Sequence, residues 1–335
     1  MSLKMRGDSL LFVRRRIPEK GPLKAAVIGA GAFGRHHAGK YAAAEGVELF
    51  AIADPNPDVR RAMTAQYGCL AVADWRDLLG RVDLVSICSP AVTHAALVEA
   101  FLRAGAHVLV EKPIATTLKE ADALIALAAQ VGKVLTVGHQ ERFVFARTGL
   151  LDHGEAPLEI ECWRKGPWTG RGADVSVVLD LMIHDLDLVH RLVPGNVEEV
   201  EASGIIEKAD SADDVTATLR FENGTVARFE TSRISDVRSR GMRAVYADGE
   251  IEIDFITRKV RNTTPRLLNE LEIGDPLSES VLAFIAAARG LAETAVRPEE
   301  ARRALESALM IDRAAAAVPV ETTVYKRPEF RVAAG

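Results

Sequence analysis

Gly29-Ala30-Gly31-Ala32-Phe33-Gly34 follows directly on the apolar run Ala25-Ala26-Val27-Ile28 and leads into a helical pattern that runs through His37 and Tyr41. Strand, glycine-rich turn and helix in that order read as the dinucleotide-binding corner of a doubly wound parallel sheet. Gly29 permits the tight turn, Gly31 lets a pyrophosphate approach the backbone, and Gly34 lets the helix pack closely on the sheet. The phosphates would meet the free N–H groups and the positive end of that helix. The next strand, Val47–Ala53, ends in Asp54. An acid about 20 residues beyond the glycines is placed to accept from both hydroxyls of the adenosine ribose, and its charge repels a 2′-phosphate, which favours NAD over NADP.

The alternation of short apolar runs with helical patterns continues from residue 24 to residue 142. Strands are expected at Val82–Cys88, Val108–Val110 and Val134–Gly138, with helices over Thr93–Arg103 and Leu118–Val131. Ligands of open α/β sheets bind at the carboxyl ends of the strands. Ser89-Pro90, Glu111-Lys112-Pro113 and Gln140 stand at such ends and are expected along one edge of one sheet. Pro113 supplies no N–H and restricts Lys112 to extended backbone, so the chain itself aims the ammonium group.

A length of 335 residues exceeds one typical core and implies two domains. The expected division is a tail over 1–22, a dinucleotide-binding Rossmann domain over 23–142, a substrate-binding α+β domain over 143–326 and a tail over 327–335. The formal net charge of −5 gives no sign of nucleic-acid or membrane partners. No apolar run is long enough to span a bilayer. Near the N-terminus Leu10-Leu11-Phe12-Val13 precedes Arg14-Arg15-Arg16, the reverse of a secretory signal. Cys69, Cys88 and Cys162 form no C-x-x-C pair, which fits a reducing cytoplasm, with Cys88 expected in the core.

The second half reads differently. Strand-like runs at Leu158–Trp163, Val197–Ile206, Val215–Phe221, Thr225–Thr231, Met242–Tyr246 and Glu250–Phe255, with Asn223-Gly224 and Asp248-Gly249 as hairpin turns, predict a large, mostly antiparallel sheet. Helices over Val177–Val193, Ser280–Arg289 and Pro298–Ala317 would cover one face. Within the first of these, α-helical spacing puts Asp180 and His184 on one stripe with Asp187 a turn further on. Acid and imidazole in an apolar helix are costly to bury unless paired or used. A carboxylate one turn away orients the ring and raises its basicity. Asp180, His184 and Asp187 lack an evident fourth ligand, so no metal is expected. Arg164 to Gly172 reads as a loop, in which Arg164, Arg171 and Trp168 either hold a diphosphate and stack on a base or sugar, or are solvated side chains and packing.

Taken together, Gly29-x-Gly31-x-x-Gly34, Asp54, Glu111-Lys112-Pro113 and Asp180-x-x-x-His184 resemble the glucose–fructose oxidoreductase, inositol dehydrogenase and MocA (Gfo/Idh/MocA) family. The likeness covers about residues 23–326. It implies an NAD(P)-dependent dehydrogenase acting on a secondary hydroxyl of a sugar, with Lys112, Asp180 and His184 as the catalytic trio. It also implies a homodimer or homotetramer. Met182 stands where the family pattern has glycine. Val137 to Phe143 and Asp180 to Asp187 further resemble the nucleotide-sugar branch, which includes UDP-N-acetylglucosamine 3-dehydrogenases. That likeness brings Arg142 to the substrate pocket. The alternatives are a dehydrogenase of myo-inositol or another free sugar, and a non-catalytic NAD-binding regulator. Either His184 or Lys112 is the base.

Overall fold

The computed structural model describes residues 21–269 and 274–317, so the N-terminal arginine cluster and the C-terminal tail lie outside the described residues. The first half is a six-stranded parallel sheet in the order β3-β2-β1-β4-β5-β6. Its elements are β1 (Leu23–Ile28), α1 (Ala32–Ala43), β2 (Val47–Ala53), α2 (Pro57–Tyr67), β3 (Leu70–Val72), β4 (Leu84–Ile87), α3 (His94–Arg103), β5 (His107–Val110), α4 (Leu118–Val131) and β6 (Leu135–Val137). The strands are largely apolar because helices cover both faces, and every residue of β4 and β6 is buried. α4 starts at Thr117, whose hydroxyl accepts from Glu120 N, and stops at Gly132 with φ +64°. α2, which hydrophobic periodicity did not reveal, is bounded the same way. Asn56 caps it ahead of Pro57, and Gly68 ends it at φ +65°.

The second half is a seven-stranded sheet in the order β13-β12-β11-β7-β10-β9-β8. It follows α5 (Glu141–Ala146) and comprises β7 (Glu159–Lys165), β8 (Val197–Ile205), β9 (Asp214–Phe221), β10 (Val226–Ser232), β11 (Ser239–Tyr246), β12 (Gly249–Asp254) and β13 (Val260–Asn262). All neighbours are antiparallel except β7 and β10, which run parallel. Both expected hairpin turns are present, with Gly224 at φ +87° and Gly249 at φ +145°. Alternation sends Ile160, Cys162, Ala227, Phe229, Val215, Ala217 and Leu219 to the inner face. That face is covered by α6 (Ile183–Leu192) and α8 (Pro298–Ala317). α7 (Pro276–Ala288) returns to the first sheet, where Val281, Phe284 and Ile285 pack with Val27, Tyr41, Ile52 and Leu109.

Three details depart from the sequence reading. The helix expected over Val177–Val193 opens with a π-helical turn, Val178–Met182, before α6 begins. Arg164 and Lys165 are not loop residues, because β7 continues through Lys165. Cys69 and Cys162 are buried, but Cys88 lies just past the end of β4 and is only partly covered. Among the described residues no helix is long and apolar enough to cross a membrane.

Candidate active site

The glycine turn is shaped for a phosphate group. Gly29 has φ +82°, and a Cβ there would lie 2.9 Å from Cys88 O and Ser89 N. A Cβ on Gly34 would sit 1.9 Å from Gly29 O, so only glycine lets α1 meet the turn. A Cβ on Gly31 would meet nothing within 4 Å, which leaves that side of the turn open to a ligand. Gly31 caps α1 without a side-chain bond, and the first turn carries no acid. The first N–H groups of α1 are therefore available to an anion. Asp54 closes the corner, accepting from Ala30 N at 2.9 Å and Asn56 N at 2.8 Å, one bond per oxygen. Each oxygen keeps acceptor capacity for a ribose hydroxyl. Phe33 is 37% exposed beside the turn. These residues fit a dinucleotide.

Ser89 and Pro90 follow β4 in the same rim, Ser89 half-buried and Pro90 exposed. Sequence reasoning missed two groups that knit this rim. The Asp174 carboxylate accepts from Ala91 N at 2.8 Å, bringing the segment after β7 to the end of β4. His94 lies buried between Pro113 O (2.7 Å) and Ser89 O (3.0 Å), joining the turns after β4 and β5.

Lys112, at the tip of β5, meets the π-helical turn. Its Nζ donates to Asp180 Oδ1 at 2.8 Å and to the Asp180 carbonyl. Both side chains are mostly buried. Gly172, at φ +68°, lies against the Asp180 carboxylate so closely that a Cβ would be 2.2 Å from Oδ2. π-Turns recur frequently at functional sites, and this one brings Asp180 to Lys112. The expected link from Asp180 to the imidazole is not formed, since His184 Nδ1 is buried with no hydrogen-bond partner. His184 instead packs edge to face with buried His139, ring centroids 6.1 Å apart. Burial pushes the His184 pKa well below the usual imidazole value, and the nearby charges of Lys112, Arg164 and Arg240 push it further. Both effects favour the uncharged form of the His184 ring.

Two residues expected to touch substrate are taken up inside the protein. Arg142 is buried, with Nε and Nη2 on Asp187 and Nη1 on Glu300. Arg164 projects from β7 to the inner face, donating to Asp185 Oδ2 at 2.9 Å and Oδ1 at 2.7 Å. Neither guanidinium is free to hold a diphosphate. Trp168 stays partly exposed under the Arg233 guanidinium, 5.4 Å from the ring centroid, and Arg171 is exposed. Gln140, expected at the cofactor edge, donates to Glu111 Oε1 at 2.8 Å. Arg240, which the sequence did not flag, pairs with Glu141 at 2.7 Å and is opposite Arg164 in the β11–β7 register.

The match to known proteins follows this geometry. Residues 23–139 match the model of the oxidoreductase family with NAD-binding Rossmann fold, GFO_IDH_MocA, and residues 146–253 match the GFO/IDH/MocA C-terminal domain. The chain belongs to the Gfo/Idh/MocA oxidoreductase family. It is 39% identical over 235 residues to UDP-N-acetylglucosamine 3-dehydrogenase of Acidithiobacillus ferrooxidans, spanning 70% of this chain and 74% of the relative. A solved structure of that enzyme, GnnA, aligns with a TM-score of 0.82 at 35% identity, covering 88% of this chain and 98% of the other. Myo-inositol 2-dehydrogenase of Thermotoga maritima is 30% identical over 273 residues, 74% of this chain and 79% of the relative. As a member of this family the protein is an NAD-dependent oxidoreductase.

Proposed function

We propose that the protein oxidises a secondary hydroxyl of a nucleotide sugar of the UDP-N-acetylglucosamine class, with Lys112, Asp180 and His184 as the acting side chains. The observation that carries this reading is the Lys112 ammonium fixed on Asp180 at the tip of β5, with His184 four residues further along the same helical segment. NAD, when bound, supplies the hydride acceptor. The substrate C–H bond gives up its hydride, the hydroxyl proton goes to His184, and a ketone is left. Lys112 has three N–H donors and spends two on Asp180, so the third is available to the substrate oxygen as charge develops there. This division makes His184 the base and Lys112 the donor. Asp180 keeps Lys112 aimed.

The choice of substrate class is supported by the likeness to the A. ferrooxidans enzyme, whose name specifies UDP-N-acetylglucosamine. A second reading, a free polyol such as myo-inositol, is favoured by the internal pairing of Arg142 and Arg164, which removes the cations expected to hold a diphosphate. A purely regulatory role is disfavoured because it has no use for all three acting side chains. Assembly as a homodimer or homotetramer and a cytoplasmic location belong to the same proposal. Sedimentation velocity tests the first.

The deciding experiment is NADH formation with UDP-N-acetylglucosamine, UDP-glucose, N-acetylglucosamine and myo-inositol, each with a ketone trap. Turnover with the acetylated nucleotide sugar at a kcat/KM at least about a hundredfold above that for the free sugars is expected. Turnover with myo-inositol alone would overturn the nucleotide-sugar reading and keep the chemistry.

A further inference from the structure

Beneath the glycine turn a chain of buried polar groups connects α1 to the tip of β5. Tyr41 OH lies 2.8 Å from Ser86 Oγ, Ser86 Oγ lies 3.0 Å from His37 Nδ1, and His37 Nε2 lies 3.0 Å from Glu111 Oε1. Tyr41, Ser86 and His37 are fully inaccessible to solvent. A serine, a histidine and a carboxylate in line suggest nucleophilic chemistry. Total burial rules that out, because no substrate can reach Ser86. The direction of the bonds follows from the far end. A carboxylate only accepts, so His37 Nε2–H donates to Glu111. With Ser86 donating to Nδ1 and Tyr41 donating to Ser86, every group is satisfied.

This chain holds one oxygen of Glu111 and leaves the other. Oε1 takes His37 and also Gln140 Nε2 at 2.8 Å. The carboxylate rests on the backbone of Gly138, where a Cβ would be 2.4 Å from Oε1 and 2.8 Å from Oε2. Oε2 receives no hydrogen bond from any described residue. Glu111 thus presents one pre-aimed acceptor at the same strand end that carries Lys112.

We propose that His37 is a positioning residue that aims Glu111 Oε2 at the carboxamide of the nicotinamide ring. The carboxamide NH2 is the one strong nitrogen donor on that half of the cofactor, and an oriented carboxylate is its natural acceptor. Because His37 stands on α1, whose first N–H groups would hold the phosphates of a bound dinucleotide, one helix would then register both ends of it against Lys112. The inference concerns cofactor binding alone and does not depend on which sugar is oxidised.

Three ligands read by calorimetry test it: NADH, reduced 3-acetylpyridine adenine dinucleotide, which lacks the NH2 donor, and ADP-ribose, which lacks the ring. The unaltered protein should bind NADH about tenfold more tightly than the acetylpyridine analogue. His37→Leu should shrink that preference to within about twofold while ADP-ribose affinity holds. His37→Gln, which keeps an N–H toward Glu111, should restore most of it. If His37→Leu fails to fold, Glu111→Gln carries the test, with the same loss of preference expected. An unchanged preference in these variants would overturn the proposal. So would a parallel loss of ADP-ribose affinity, which marks a purely structural role.

Discussion

Lys112 Nζ is 2.8 Å from Asp180 Oδ1 and also donates to the main-chain carbonyl of the same residue, so one aspartate fixes two of three ammonium donors. Asp180→Asn keeps the shape but removes the charge that orients Lys112. Steady-state kinetics should show kcat falling about a hundredfold, in the range for loss of a preorganised electrostatic contact. NADH affinity should stay within a few-fold, because Asp180 is not part of the glycine turn. A kcat at the unaltered level would remove Asp180 from the reaction.

The rate should depend on pH through His184. Its pKa is lowered, first by burial and then by the Lys112 charge. A base with a lowered pKa is already deprotonated at neutral pH, and it loses that form only when pH falls through the lowered value. The acidic limb of kcat/KM is therefore expected below about 6.5, the ordinary imidazole value. A limb near 8 would point instead to another base.

Much of the site was legible because backbone geometry demands particular residues there. Gly29 and Gly34 are legible as required glycines because a Cβ at either would strike backbone atoms. Pro113 and the acids at strand ends likewise declare themselves. Arg142 and Arg164 did not, because a sequence does not reveal whether a cation faces water, a ligand or a buried carboxylate. The signal that would have helped was Asp185 and Asp187 among apolar neighbours of one helix, since buried acids need partner cations. The π-turn that swings Asp180 to Lys112 leaves no mark in hydrophobic spacing, so Asp180 pairs with Lys112 in place of the expected His184. α2 was missed although its caps, Asn56-Pro57 and Gly68, are readable.

The glycines should separate folding from binding. Gly31→Ala places its methyl in open space, so melting temperature should hardly move, while NADH affinity falls at least about tenfold as the methyl occupies the phosphate approach. Gly34→Ala places it 1.9 Å from Gly29 O, so the same methyl should destabilise the fold itself. Thermal melts and NADH titrations of both variants check the contrast.

Arg164 offers a test of the internal pairing. Arg164→Met leaves the Asp185 carboxylate buried without its partner, which should cost about 3–5 kcal/mol in denaturant unfolding. Adding Asp185→Leu should recover much of that loss, since an apolar pair removes the stranded charge. A single variant as stable as the parent would mean that Arg164 is not held as described.

The most direct measurement of the central claim is made on Lys112→Met, with NADH binding and turnover read from one preparation. The Lys112 ammonium is assigned to the reacting oxygen, and the glycine turn to the cofactor. kcat should therefore fall about a thousandfold, with NADH affinity preserved within a few-fold. Turnover at the unaltered rate with intact NADH binding would contradict the account.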